Sequence, residues 1–159
     1  MQIIEYTEQY KDQVIALILE IQRNEFQLDI TAADQPDLHA IEDFYVRGGG
    51  NFWLAVMDSQ VVGTISLVSL NRHGFALRKM FVQREFRGRG HAAARMLLDT
   101  AEQWVAASAH KDIYLGTTVK FLAAHKFYRK HGFQDIAQQD LPDEFPVMQV
   151  DTIFFKKSL

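Results

Sequence analysis

The chain has no cysteine among its 159 residues. Disulfides, a thiol nucleophile and thiolate-ligated zinc are therefore excluded. It has no excess of positive charge either. Seventeen basic residues face 20 acidic ones, giving a net charge of −3, which argues against a general nucleic-acid binder. No apolar run approaches the length of a membrane span, and no basic segment followed by an apolar core stands at the N-terminus. A cytoplasmic protein with no membrane partner is the expectation. Repeats, linkers and low-complexity tracts are missing too. Hydrophobic residues at 48% and charged residues at 23% are an ordinary globular mixture, and the length fits one domain spanning 1–159. The histidines lack helical metal-ligand spacing: His125 and His131 are six apart and fall on different faces. No metal is expected.

What is present is concentrated in Val82-Gln83-Arg84-Glu85-Phe86-Arg87-Gly88-Arg89-Gly90-His91-Ala92. An apolar run before it reads as a strand, and Ala92-Ala93-Ala94-Arg95-Met96-Leu97-Leu98 opens a helix reaching about Ser108. Strand, glycine turn and helix together make an anion site, because unpaired N–H groups and the dipole at a helix N-terminus both favour negative charge. Gly88 and Gly90 leave room for a phosphate, and Arg84, Arg87 and Arg89 add charge suited to gripping its oxygens. No Gly-Lys-Ser/Thr follows, so the turn is not a Walker loop. Two glycines do not complete the dinucleotide fingerprint. A pyrophosphate is the expected ligand.

Arg87, Gly90 and Ala92 satisfy R-x-x-G-x-A. Downstream, Ala124, Tyr128, Gly132 and Phe133 satisfy A-x-x-x-Y-x-x-x-G-F, with Ala124 and Tyr128 on one helix face and Gly132 as the helix stop. With both motifs in this order, the chain resembles the GNAT acyltransferase superfamily over nearly its whole length. The resemblance implies acetyl-coenzyme A as acyl donor, an amine acceptor, direct transfer without a covalent enzyme intermediate, and a monomer or homodimer. It places the pantetheine arm against the backbone of Met80, Phe81 and Val82, and the pyrophosphate on the turn Arg87, Gly88, Arg89, Gly90, His91 and Ala92. Tyr128 becomes the proton donor to the leaving thiolate; its alternative is a core aromatic.

Two departures from the family pattern follow. Some members carry a glutamate early in the fourth strand, where this chain has Ala76, Leu77, Arg78 and Lys79. A general base then falls to Glu25 or Asp29, or to a water chain. Many members place an asparagine where Phe121 stands; Thr117 and Thr118 either supply that polar contact or cap the next helix. Phe26, Asp29, Tyr45 and Phe145, on segments that build the acceptor site in the family, are the expected acceptor residues. With neighbouring carboxylates they suggest an acidic, aromatic mouth for a cationic amine.

The element pattern predicts an α+β fold, three-layer α/β/α, with a mixed, mostly antiparallel seven-stranded sheet and about four helices. Strands are expected near 2–6, 52–57, 61–70, 75–82, 112–115, 133–137 and 150–156. Helices are expected to 24, from 34 to 47, from 90 to 108 and from 119 to 131. Leu77, Met80 and Val82 break the two-residue period, which predicts a β-bulge near Arg78-Lys79.

Overall fold

A computed structural model describes residues 1–88, 90 and 92–159. Seven strands form one sheet: β1 (Gln2–Glu5), β2 (Asn51–Met57), β3 (Gln60–Ser69), β4 (Phe75–Val82), β5 (Asp112–Thr117), β6 (Gln134–Ile136) and β7 (Ile153–Ser158). Their spatial order is β1-β2-β3-β4-β5-β7-β6, antiparallel throughout except where β4 runs parallel to β5. Three α-helices cover it: α1 (Lys11–Leu19), α2 (Ala93–Ala106) and α3 (Leu122–Lys130).

The layers follow from which side chains each strand sends to each face. One face packs Trp53, Ile65, Leu77 and Leu115 against Leu97, Leu98 and Ala101 of α2 and Tyr128 of α3. The other packs Phe52, Leu54 and Val56 against Val14, Leu17 and Ile18 of α1, with Leu38, Ile41 and Tyr45. A smaller cluster of Leu70, Ala76, Tyr114, Phe145 and Phe154 continues that second face under the loop before β7. The hairpin β2–β3 closes through Asp58 and Ser59, both at positive φ (50° and 64°), the conformation a two-residue hairpin turn needs.

Two predicted helices take other forms. The apolar period of α1 continues beyond Leu19, but as a π-helical turn, Glu20–Glu25, in which Phe26 N–H donates to Ile21 O at 3.1 Å. The helix expected from Asp34 is a 3₁₀ turn, Pro36–His39, and a π turn, Glu42–Val46. Asp34 does not cap it; its carboxylate accepts from the N–H and hydroxyl of Thr31, both at 2.9 Å. Leu38, Ile41 and Tyr45 point inward as their spacing requires, whereas Phe44 is 44% exposed. α2 starts at Ala93 rather than Gly90. α3 starts at Leu122 and stops where predicted: Gly132 has φ +91°, and Phe133 N–H donates back to Tyr128 O at 3.0 Å.

The feature that positions the site is in β4. Thr64 faces Phe81 and Ser66 faces Arg78, so Lys79 and Met80 together oppose Ile65. This is the expected bulge, and Lys79 sits at its centre with φ +54°. It turns Leu77, Met80 and Val82 to the α2 face, as their spacing implied. β4 meets β5 at two residue pairs, Phe75 with Ile113 and Ala76 with Tyr114, and the strands part beyond them.

Gly74 stands at the root of that divergence. Its φ is +98°, and a Cβ there would lie 2.2 Å from the Asp112 carbonyl oxygen. Gly74→Ala is expected to cost about 2 kcal/mol, since both the backbone conformation and the β4–β5 approach are lost. Urea denaturation measures it; an unchanged midpoint would show that the two strands tolerate separation at their root.

Candidate active site

Where β4 and β5 diverge they leave a cleft of about 530 Å³, floored by α3 and closed at one end by the turn after β4. Met80, Phe81 and Val82 line one wall, Leu115, Gly116 and Thr117 the other. Among the described residues β4 beyond Ala76 has no strand partner on the side facing this gap, so its edge there is free of a neighbouring strand. Phe121 hangs over the cleft, edge-on to Phe26 at 4.5 Å and to Phe81 at 6.3 Å between ring centroids. An aromatic pair thus occupies the place where a polar contact was sought. Thr117 lines the cleft beneath it, while Thr118 O lies 2.9 Å from His125 Nε2, inside the α3 packing.

The turn at the end of the cleft carries the two glycines expected to face an anion. Gly88 and Gly90 both have positive φ (+82° and +86°), and a Cβ on either would meet no atom within 4 Å. Ala92 begins the helix, its carbonyl accepting from Met96 N–H at 2.8 Å. Arg89 and His91, also expected to hold the pyrophosphate, lie outside the described residues. Arg87 is fixed twice: Nε donates to Val82 O at 2.7 Å, and the two terminal nitrogens grip the carboxylate of Glu25, one at 2.8 Å.

That pairing changes the reading of Glu25. Its hydrogen bond with Arg87 holds its carboxyl below the usual range despite partial burial. A carboxylate clamped by arginine and poorly basic does not fit a general base. Asp29 is exposed and lies away from the cleft lining.

Tyr128 projects from α3 into the inner end of the cleft and is 6% exposed. Its ring packs against Phe133 and Phe155 at 5.5 and 5.8 Å. Burial alone raises its pKa, so the phenol is held protonated, and its hydroxyl has no hydrogen-bond partner among the described residues. The ring is packed into the core, while the hydroxyl is left unshared among the described residues.

The presumed acceptor mouth differs from expectation. Phe26 does line the cleft. Tyr45 is fully buried and donates to Asp37 Oδ2 at 2.5 Å, and Phe145 is buried against Phe154. Both are core residues, because the π turn and the loop before β7 fold their aromatics onto the sheet instead of leaving them open. Much of the acidic charge is already engaged: Glu25 on Arg87, Asp34 on Thr31, and Glu144 2.8 Å from His73. In its place stands a buried polar set that composition did not reveal. Lys79 Nζ is 3.7 Å from Asp37 and donates to Gln35, whose side-chain amide pairs with that of Gln22. Burial pushes the Lys79 pKa down to about 8 against the opposing pull of Asp37.

A splayed parallel strand pair, a bulge in one of its strands, a glycine turn and a buried tyrosine meet at one cleft. A sequence model described as the acetyltransferase (GNAT) family matches residues 15–133, and the chain belongs to that family of acyltransferases. A GNAT-family acetyltransferase from Staphylococcus aureus Mu50 superposes with a TM-score of 0.94 at 42% identity, over 99% of this chain and 98% of that one. An acetyltransferase from Streptococcus agalactiae 2603 superposes equally well, also 0.94, at 31% identity over the same shares. The N-acetylaspartate synthetase of Danio rerio is 34% identical over 106 residues, which is 65% of this chain and 37% of that protein. The chain thus spans little more than a third of that relative's length.

Because Glu25 neutralises Arg87 at the mouth of the anion turn, Glu25→Gln is expected to strengthen binding of inorganic pyrophosphate about threefold. A half-exposed ion pair is worth at most about 1 kcal/mol. Titration calorimetry measures this, and weaker binding would show that Glu25 orients Arg87 rather than competing for it.

Proposed function

We propose that the chain is an N-acetyltransferase, a single catalytic domain that moves the acetyl group of acetyl-coenzyme A to a primary amine by direct attack. The observation that carries this reading is Tyr128: a buried, protonated phenol with an unshared hydroxyl, at the inner end of a cleft whose outer end is the glycine turn.

The residues divide the work by position. The glycine turn with Gly88 and Gly90, the start of α2 and Arg87 suit a pyrophosphate. From there the exposed edge of Met80, Phe81 and Val82 offers backbone partners to the pantetheine arm and leads it inward. The bulge at Lys79 turns backbone N–H groups toward the thioester carbonyl, where they stabilise the charge that develops on oxygen. The amine nitrogen forms its bond to the acetyl carbon as the carbon–sulfur bond breaks, and Tyr128 gives its proton to the departing sulfur. Phe121 and Phe26 shield the reacting end from water.

A second reading, a non-catalytic sensor of acyl-coenzyme A on the same fold, is favoured by one observation: β4 lacks a carboxylate and Glu25 is committed to Arg87. Thiol release from acetyl-coenzyme A with a panel of amines separates the two. Turnover is expected in the wild type, and Tyr128→Phe is expected to lower kcat by about 10²-fold with acetyl-coenzyme A affinity intact. Equal rates in wild type and variant would make Tyr128 a packing residue. Binding without any turnover would favour the sensor.

A further inference from the structure

Two opposite charges flank the gap between β4 and β5 without forming an ion pair. Arg78, the residue before the bulge centre, is half-buried and lines the cleft. It lies on the face opposite α2, with its carbonyl held by Ser66 Oγ at 2.7 Å. Among the described residues its guanidinium has no carboxylate partner. Its side chain donates to Met148 Sδ at 3.6 Å, a weak acceptor, and lies 5.9 Å from the centre of the Phe44 ring. Most of its five N–H donors are left for solvent or a ligand. An arginine fork in that condition matches a carboxylate, two bonds to two oxygens.

Asp151 stands on the other side of the gap, in the loop before β7. Met148 N–H donates to its Oδ2 at 2.9 Å. The carboxylate lies directly over Gly116 of β5: a Cβ there would come within 2.7 Å of Oδ2. Gly116 belongs to the cleft wall, and its missing side chain leaves room for this acid to lie against that wall, although Asp151 is not itself among the lining residues. Arg78 and Asp151 influence each other electrostatically, and burial raises the Asp151 carboxyl above its ordinary value. Burial thus favours proton uptake at Asp151, whereas pairing with Arg87 disfavours it at Glu25.

We infer that the acceptor is a zwitterionic amino acid, its carboxylate held by Arg78 and its amine turned toward Asp151. This rests on reading the cleft as the acyl-transfer site. A polyamine would instead bring positive charge against Arg78, a like-charge contact that costs binding. The proton count closes. The ammonium sheds two protons: one leaves through Asp151 to solvent, and the other replaces the proton that Tyr128 gives to sulfur. The products are an N-acetyl amino acid and the free thiol.

The test compares free amino acids with their C-terminal amides, with putrescine as a dicationic control, by thiol release from acetyl-coenzyme A. Free amino acids are expected to exceed their amides by about tenfold or more in kcat/KM. Arg78→Gln should bring that ratio close to one, chiefly through KM, and Arg78→Lys should recover part of it. Preference for amides or putrescine, or a ratio that Arg78→Gln does not change, overturns the inference. So does an absence of turnover with every amino acid in protein that still binds acetyl-coenzyme A. Failure to bind acetyl-coenzyme A overturns the underlying reading of the cleft instead.

Discussion

Two hydroxyls on β3 hold the bulge of β4 in place, and the site is arranged around that bulge. Thr64 Oγ1 donates to Lys79 O at 2.6 Å and Ser66 Oγ to Arg78 O at 2.7 Å, and both residues are completely buried. A bulge leaves carbonyls without ladder partners, and a buried unpaired carbonyl is costly. The hydroxyls satisfy both, which allows a lysine to occupy positive φ, an uncommon state for a residue with a Cβ. From this kink follow the inward turn of Met80 and Val82, the outward turn of Arg78, and the divergence of β4 from β5.

Electrostatics at the two ends of the cleft differ in kind. At the outer end, the Arg87 side chain is about a third exposed and is paired with Glu25. At the inner end, Lys79, Asp37, Tyr45 and Gln35 form a buried set whose charges are balanced among themselves. Charges so enclosed hold the 3₁₀ turn Pro36–His39 against the bulge and leave little freedom to serve an acceptor. Between these ends, Arg78 lines the cleft and Asp151 lies against Gly116 of its wall, and neither forms an ion pair among the described residues.

Much of this arrangement was legible in the sequence because it rests on local rules. The apolar periods located all seven strands. Broken spacing at Leu77, Met80 and Val82 disclosed the bulge, and Gly132 marked the end of α3. The acceptor side was not legible in the same way. Tyr45 and Phe145 read as aromatics on site-forming segments, but whether such residues fold inward depends on how irregular segments settle onto the sheet. Glu25 and Arg87 are 62 residues apart, and no local rule brings them together. Asp151 gave no signal beside the other acids; its part depends on Gly116, a glycine in a strand, which is a known mark of close backbone or side-chain approach.

The central claim is that one cleft holds the acyl donor from the glycine turn to Tyr128. A crystal structure with coenzyme A bound tests it most directly. The account predicts the pyrophosphate on the amides of the turn Arg87 to Ala92, the pantetheine paired with the open edge of Met80 to Val82, and the sulfur within about 4 Å of the Tyr128 hydroxyl. A ligand bound elsewhere, or a sulfur directed away from Tyr128, would contradict it.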